Sequence, residues 1–263
     1  MRIVNLGQVC LALGMIGLGA LSLIYRDFAL QWQPVPDWVG ARQILAMVSG
    51  FILLAGGLGL LFRATGAMAA LALTLFLLTW VVLLKLPLAA AQPTQAISWL
   101  GVGEDLAITC GLWSVFAALA RGGEGFDIAF LTSDRGIRIA QILFGLACLA
   151  FGWSHFVYAD FTAKMIPDWM PVRLPLAYIT GAGHIAAGLA LISGILPRLA
   201  ATLEGVMMAI FVVVVHIPLL LAPVPQPPQL NWTLFFVALS LSGSAFAIAW
   251  TLRDRAWGLS KPA

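Results

Sequence analysis

Charge is scarce in this chain. Only 10% of its 263 residues are Asp, Glu, Lys or Arg, against 62% hydrophobic, and a soluble globular domain carries roughly 25% charge. The net charge of +3 comes with no basic stripe to neutralise phosphates, so no nucleic acid is expected as a partner. Cysteine is nearly absent. Cys10, Cys110 and Cys148 each sit inside an apolar run, with no C-x-x-C pair, and read as packing residues rather than a thiol-redox centre. Nucleotide loops, zinc-protease helices, nucleophile elbows and dinucleotide fingerprints are missing too, which excludes the common soluble enzyme classes.

Apolar runs long enough to cross a bilayer are plentiful. Eight of them, near 5–25, 43–62, 65–84, 99–120, 138–158, 174–195, 199–217 and 232–251, approach the ~20 residues that a hydrocarbon core requires. Backbone groups in lipid must bond internally, so these runs are expected to be helices. Arg2, Asn5 and the first run resemble a cleavable leader. The matching stretch at 138–158 lies mid-chain, however, so a retained span is expected.

Two parts of the chain repeat each other. Tyr25, Asp27 and Phe28 precede Pro36, Asp37, Trp38, Arg42, Gly50, Gly57 and Pro87. Tyr158, Asp160 and Phe161 precede Pro167, Asp168, Trp169, Arg173, Gly181, Gly188 and Pro218 in the same order. The spacing between equivalents is 133 up to Phe28 and 131 from Pro36 on. A shared offset over so long a stretch indicates tandem duplication. The expected fold is all-α and integral to the membrane, with eight transmembrane helices as two parallel four-helix repeats. Residues 1–120 form the first repeat, 121–137 a Gly-rich charged linker, and 138–263 the second.

Nine basic residues (Arg2, Arg63, Arg121, Arg135, Arg138, Arg198, Arg253, Arg255, Lys261) fall on the side of the termini. Five (Arg26, Arg42, Lys85, Lys164, Arg173) fall on the other. Positive-inside then predicts cytoplasmic termini in a cell (inner) membrane. Trp32, Trp38, Trp99, Trp169 and Trp232 read as anchors of the outer interface, and Trp250 and Trp257 of the inner one. Asp160, Asp168 and their surrounding Pro-Asp-Trp turns read as structural, with catalytic duty for the carboxylates as the alternative. The stretch 222–231, rich in Pro, reads as a stiff extended connector.

In the second copy, Gly145, Gly152, Trp153, Ser154, His155 and Phe156 are followed by Pro167, Asp168 and Trp169. After these come Gly181, His184, Gly188, Pro197, Arg198, Ala200, Ala201, His216 and Pro218. This pattern resembles the DoxX-like family of small four-helix membrane proteins. The first copy, with Gly19, Gly57, Ala69, Ala70 and Pro87, looks like a diverged version. The resemblance implies a membrane subunit of a quinone-linked redox system, with a redox partner subunit. The family pattern carries a glutamate where His184 stands. This departure puts in doubt a mechanism that relies on that carboxylate and leaves a proton-carrying role open to His184.

All three histidines, His155, His184 and His216, lie in the second copy, opposite Ser22, Leu53 and Lys85. A histidine within a span is costly and marks a candidate functional site. His155 and His216 close their helices at the outer face, whereas His184 lies roughly 14 Å inside. Hydrogen-bonded packing, a headgroup or quinone site open to the outer leaflet, and a metal or haem site compete as readings. The depth mismatch argues against all three histidines joining one ion, and leaves a His155–His216 pair. Elsewhere, Glu104 and Asp105 begin a helix at the depth where Lys85 ends one, and a Lys85–Glu104 ion pair is expected. The alternative there is an acidic entrance to a cation or proton path. Glu204 is expected to pair with Arg198. The functional expectation is a redox membrane subunit that binds a lipophilic ligand, such as a quinone, near the three histidines. A membrane-protein assembly factor and a small-solute or proton-coupled transporter are the alternatives.

Overall fold

The computed structural model describes residues 5–123, 127–221 and 228–257. Eight long apolar helices cross from one face to the other: α1 Leu6–Tyr25, α2 Arg42–Leu60, α3 Gly66–Ala91, α4 Ala96–Arg121, α5 Asp134–Val157, α6 Arg173–Ser193, α7 Pro197–Leu221 and α8 Pro228–Thr251. No strand occurs among the described residues. The chain is a multi-pass membrane protein. Caps mark several of the boundaries. The Asn5 side chain accepts from the Gln8 amide at 2.9 Å, and Pro197 stands in the first turn of α7, where its missing N–H costs nothing.

The structure departs from the expected boundaries in the two connections around α5 and α8. α5 starts at Asp134, inside the expected linker, because Ser133 caps it by accepting from the Gly136 amide at 3.0 Å. The linker also holds a short helix, Ala129–Thr132. Of the expected 222–231 connector, 222–227 lie outside the described residues, and 228–231 already belong to α8. Of the basic residues sorted by side, Arg2 and Lys261 lie outside the described residues as well.

Neighbouring helices pack in sequence order around a ring, α1 to α8 and back to α1, and α4 touches α8 across the middle. The first helix of each half therefore packs against the last helix of the other: α1 on α8, and α5 on α4. α4 is the most enclosed, with 78% of its span buried, against 22% for α7. Lipid is as apolar as leucine, so burial alone cannot drive these contacts; close packing and hydrogen bonds must. A Cβ on Gly152 would stand 2.7 Å from the Gly181 carbonyl, and one on Gly19 2.6 Å from the Gly50 carbonyl. Only glycine allows these two helix pairs to approach so closely.

The halves share local devices at the same spacing. The Gln8 side-chain amide donates to the Leu60 carbonyl at 2.7 Å, and that of Gln141 donates to the Leu191 carbonyl at 2.8 Å. Ala41 and Val172 take left-handed backbone just before α2 and α6. α3 and α7 each widen into a π turn, Val81–Lys85 and Val212–His216. Each turn stands just before a proline, Pro87 or Pro218, whose ring and missing N–H disrupt the preceding ladder. Inward positions there recur every four residues: Leu73, Leu77, Val81 and Lys85 are all buried. A plain α-helix would rotate such a series off its face by roughly 40° per step. The wider π turn brings Lys85 back inside.

Candidate functional site

α6 and α7 are antiparallel neighbours joined by a tight turn at Gly194. His184 lies ten residues before that glycine and Glu204 ten after it, so the two meet at one depth. His184 Nδ1 and Glu204 Oε1 are 2.8 Å apart, and each residue is only 1% exposed. The second oxygen of Glu204 is buried and has no hydrogen-bond partner.

This corrects the expected Glu204–Arg198 pair. Arg198 stacks over Trp257, 3.9 Å from the ring centroid, and donates to the Arg255 carbonyl at 3.3 Å. Six residues of helix turn Glu204 roughly 120° away from Arg198. That places it on the inward stripe of Ala200, Ala201, Gly205 and Met208.

Aromatic rings enclose the pair. The His184 ring lies 5.6 Å from Phe151, 6.0 Å from Phe211 and 5.0 Å from His155, each edge-on. His155 stacks on Phe211 at 6.1 Å. Its Nδ1 lies 3.1 Å from Thr180 Oγ1 and 3.3 Å from the Ala177 carbonyl. A carbonyl only accepts and the Thr180 hydroxyl donates to the Leu176 carbonyl at 2.9 Å, so Nδ1 of His155 is assigned as the protonated nitrogen. His155 and His184 are thus brought together. His216, at the end of its π turn, has a buried Nδ1 without a partner and makes no ring contact with either of them. Among the described residues, no group of three or more His, Cys, Asp or Glu side chains is placed to hold a metal ion.

Beside the pair, α6 and α7 diverge around a cavity of about 670 Å³, within the range of small-molecule sites. Gly183, Ala186, Ala187 and Ala190 make part of its α6 wall, beside Leu189 and Ile192, and Leu203 and Met207 part of its α7 wall. The small α6 side chains leave the space open. Glu204 is the one charged side chain in the lining. The cavity extends toward the α6–α7 turn, the end of the bundle away from His155 and His216.

The first half has no such pair. By the sequence offset of the two copies, Leu53 and Leu73, both fully buried, correspond to His184 and Glu204, and buried Ser22 to His155. Its own buried ion pair lies elsewhere. Lys85 Nζ is 4.0 Å from Asp105, both almost wholly buried. This corrects the expected contact with Glu104: of the two adjacent carboxylates, Asp105 is the more buried and faces the π turn. Gly101 leaves room for the ammonium, since a Cβ there would stand 3.0 Å from Nζ. Trp32 is only 2% exposed and packs in the core, so it is not the interface anchor expected. Its indole is directed at Asp105 without reaching hydrogen-bond geometry.

In the α1–α2 and α5–α6 connections, Arg42 pairs with Asp27 at 3.0 Å and Asp37 at 3.6 Å, and Arg173 pairs with Asp168. Asp160 stands in the first turn of the short helix Ala159–Met165. Trp38 and Trp169 are 84% and 71% exposed.

The Glu204–Arg198 expectation rests on spacing within one helix, whereas the true partner stands on the antiparallel neighbour, as far before Gly194 as Glu204 is after it.

Compared with known proteins, residues 136–217 match the DoxX family model. They run from the first turn of α5 to the end of the α7 π turn and contain the whole histidine–glutamate site. No curated protein and no solved structure matches the chain.

Proposed function

We propose that the chain, whose residues 136–217 match the DoxX family model, is a membrane subunit of a redox system and holds a lipophilic ligand, of which a quinone is the type, in its second half. The carrying observation is the buried His184–Glu204 pair, in which one carboxylate oxygen is buried without a partner and Glu204 stands in the lining of an apolar cavity between α6 and α7. A buried charged group without its full set of partners is costly, and a ligand entering from the bilayer would complete it. In this reading His184 and Glu204 touch the ligand, and His155 holds the imidazole face of the site. His216 contributes only if the ligand reaches the far end of α7. The first half is a diverged copy from a tandem duplication, kept for packing. Both termini are cytoplasmic and the membrane is the cell (inner) membrane, by the distribution of basic residues.

The test is purification in mild detergent, an absorption spectrum, and mass spectrometry of extracted lipophilic molecules. A quinone that accompanies the wild type, and is lost from His184→Ala but kept in His216→Ala, is expected. Bulk phospholipid alone in every preparation would remove the ligand reading and favour an assembly or scaffolding role.

A further inference from the structure

Resting on the reading of the α6–α7 cavity as a ligand site, we propose that it selects a ligand by a hydroxyl group. The favoured molecule donates an O–H from the lipid phase, as a phenol or hydroquinol does, over one that presents only carbonyl oxygens. The assignment follows from where protons can sit. Nδ1 of His184 and Oε1 of Glu204 are 2.8 Å apart, so one proton lies between them. Whether that proton rests on nitrogen or on oxygen, Oε2 carries none and can only accept. A proton moved onto Oε2 would be a buried donor with no acceptor, since Oε2 has no partner. Unpaired buried donors are tolerated less well than acceptors.

The surroundings supply no competing donor. Ser242 of α8 spends its hydroxyl on the Gly205 carbonyl at 2.9 Å. Thr202 donates to the Arg198 carbonyl at 2.8 Å. Ser193, the other polar residue of the lining, donates to the Ala190 carbonyl at 3.3 Å. His155 turns its Nδ1–H to Thr180 and Ala177. The acceptor of Glu204, a residue of the cavity lining, is therefore left for the ligand, and of a quinone couple the hydroquinol form is held in preference to the oxidised form, which offers carbonyls alone.

The experiment uses the full chain in lipid nanodiscs, titrated by calorimetry with a decyl-substituted phenol and the corresponding decyl-substituted acetophenone, with empty nanodiscs subtracted. The two probes share shape and tail but differ in the sign of the polar group. The wild type is expected to bind the phenol about tenfold more tightly, the worth of a hydrogen bond to a charged acceptor. In Glu204→Gln the amide oxygen still accepts from His184 while its NH2 replaces Oε2, so the preference should reverse toward the ketone. Equal affinities in the wild type, or a ketone preference, would overturn the hydroxyl selection yet leave the cavity as a ligand site. A phenol preference that survives Glu204→Gln would overturn the role of this carboxylate. Binding of neither probe would overturn both the selection and the ligand reading beneath it. The wild-type ratio decides the matter alone if the variant does not fold.

Discussion

Replacing both members of the His184–Glu204 pair by leucine should be far milder than replacing either one. The reasoning comes from the first half, where Leu53 and Leu73 fill the same positions and are fully buried. His184→Leu leaves Glu204 at 1% exposure without its imidazole, and its carboxyl can remain there only as an unpaired polar group. Glu204→Leu leaves the imidazole in the same condition. Each single change should cost about 2–4 kcal/mol, between the price of an unsatisfied buried group and that of a broken buried ion pair. The double change removes both polar groups for side chains of similar volume and should come within about 1 kcal/mol of wild type. The coupling in a double-mutant cycle is then about 3–7 kcal/mol. At the scale of a large domain, a 3 kcal/mol loss lowers the melting temperature by roughly 6–12 °C. Detergent-solubilised protein followed by thermal denaturation, or by SDS titration in mixed micelles, resolves such shifts. The double variant should also lose any bound ligand while keeping its stability, which separates function from folding. A double variant as unstable as the two single losses combined would refute the pairing and the proposed equivalence of the halves.

Three further outcomes are expected. Asp105→Ala should destabilise the protein by about 3 kcal/mol in the same unfolding assay, because it strands buried Lys85, and Glu104→Ala should cost clearly less; equal losses would return Lys85 to the Glu104 pairing. Gly152→Leu should cost at least about 1–3 kcal/mol by forcing α5 from α6, where a Cβ already meets the Gly181 carbonyl at 2.7 Å, and it should loosen His155 from Thr180; crosslinking of cysteines placed across the two helices measures the separation. Arg42→Ala, which removes a half-buried guanidinium from two carboxylates and from the Phe28 ring at 5.4 Å, should cost about 1–2 kcal/mol, whereas Arg173→Ala should stay within about 0.5 kcal/mol, its Asp168 partner being 94% exposed.

The membrane class, the number of spans and the resemblance of residues 136–217 to the DoxX family could be read from the residues themselves. Lipid imposes a length and a composition on any helix that crosses it, so the eight runs stand out against 10% charge. The shared Gly, Pro and Arg spacings were legible for a related reason. Glycine is required where backbones touch, as at Gly152 and Gly181, and proline where a ladder breaks, as at Pro87 and Pro218. His155 and His184 were also legible as residues that lipid would not tolerate without cause.

What the sequence left open was which polar groups meet. Counting along one helix fixes depth but not neighbour. So spacing along α7 pairs Glu204 with Arg198, and matched depth pairs Lys85 with Glu104, the wrong one of two adjacent carboxylates. Trp32 looked like an anchor because tryptophan is frequent at interfaces, yet a loop that folds back over the bundle buries it. Partnership between helices depends on rotation about each axis and on the ring order of the bundle. Both are set by packing over the whole chain: α1 against α8, α5 against α4, and α6 against α7. The sequence determined that polar groups would stand in the membrane. Only the tertiary structure decided that His184 and Glu204 meet at 2.8 Å beside an apolar cavity, because a contact between two helices is a property of neither alone.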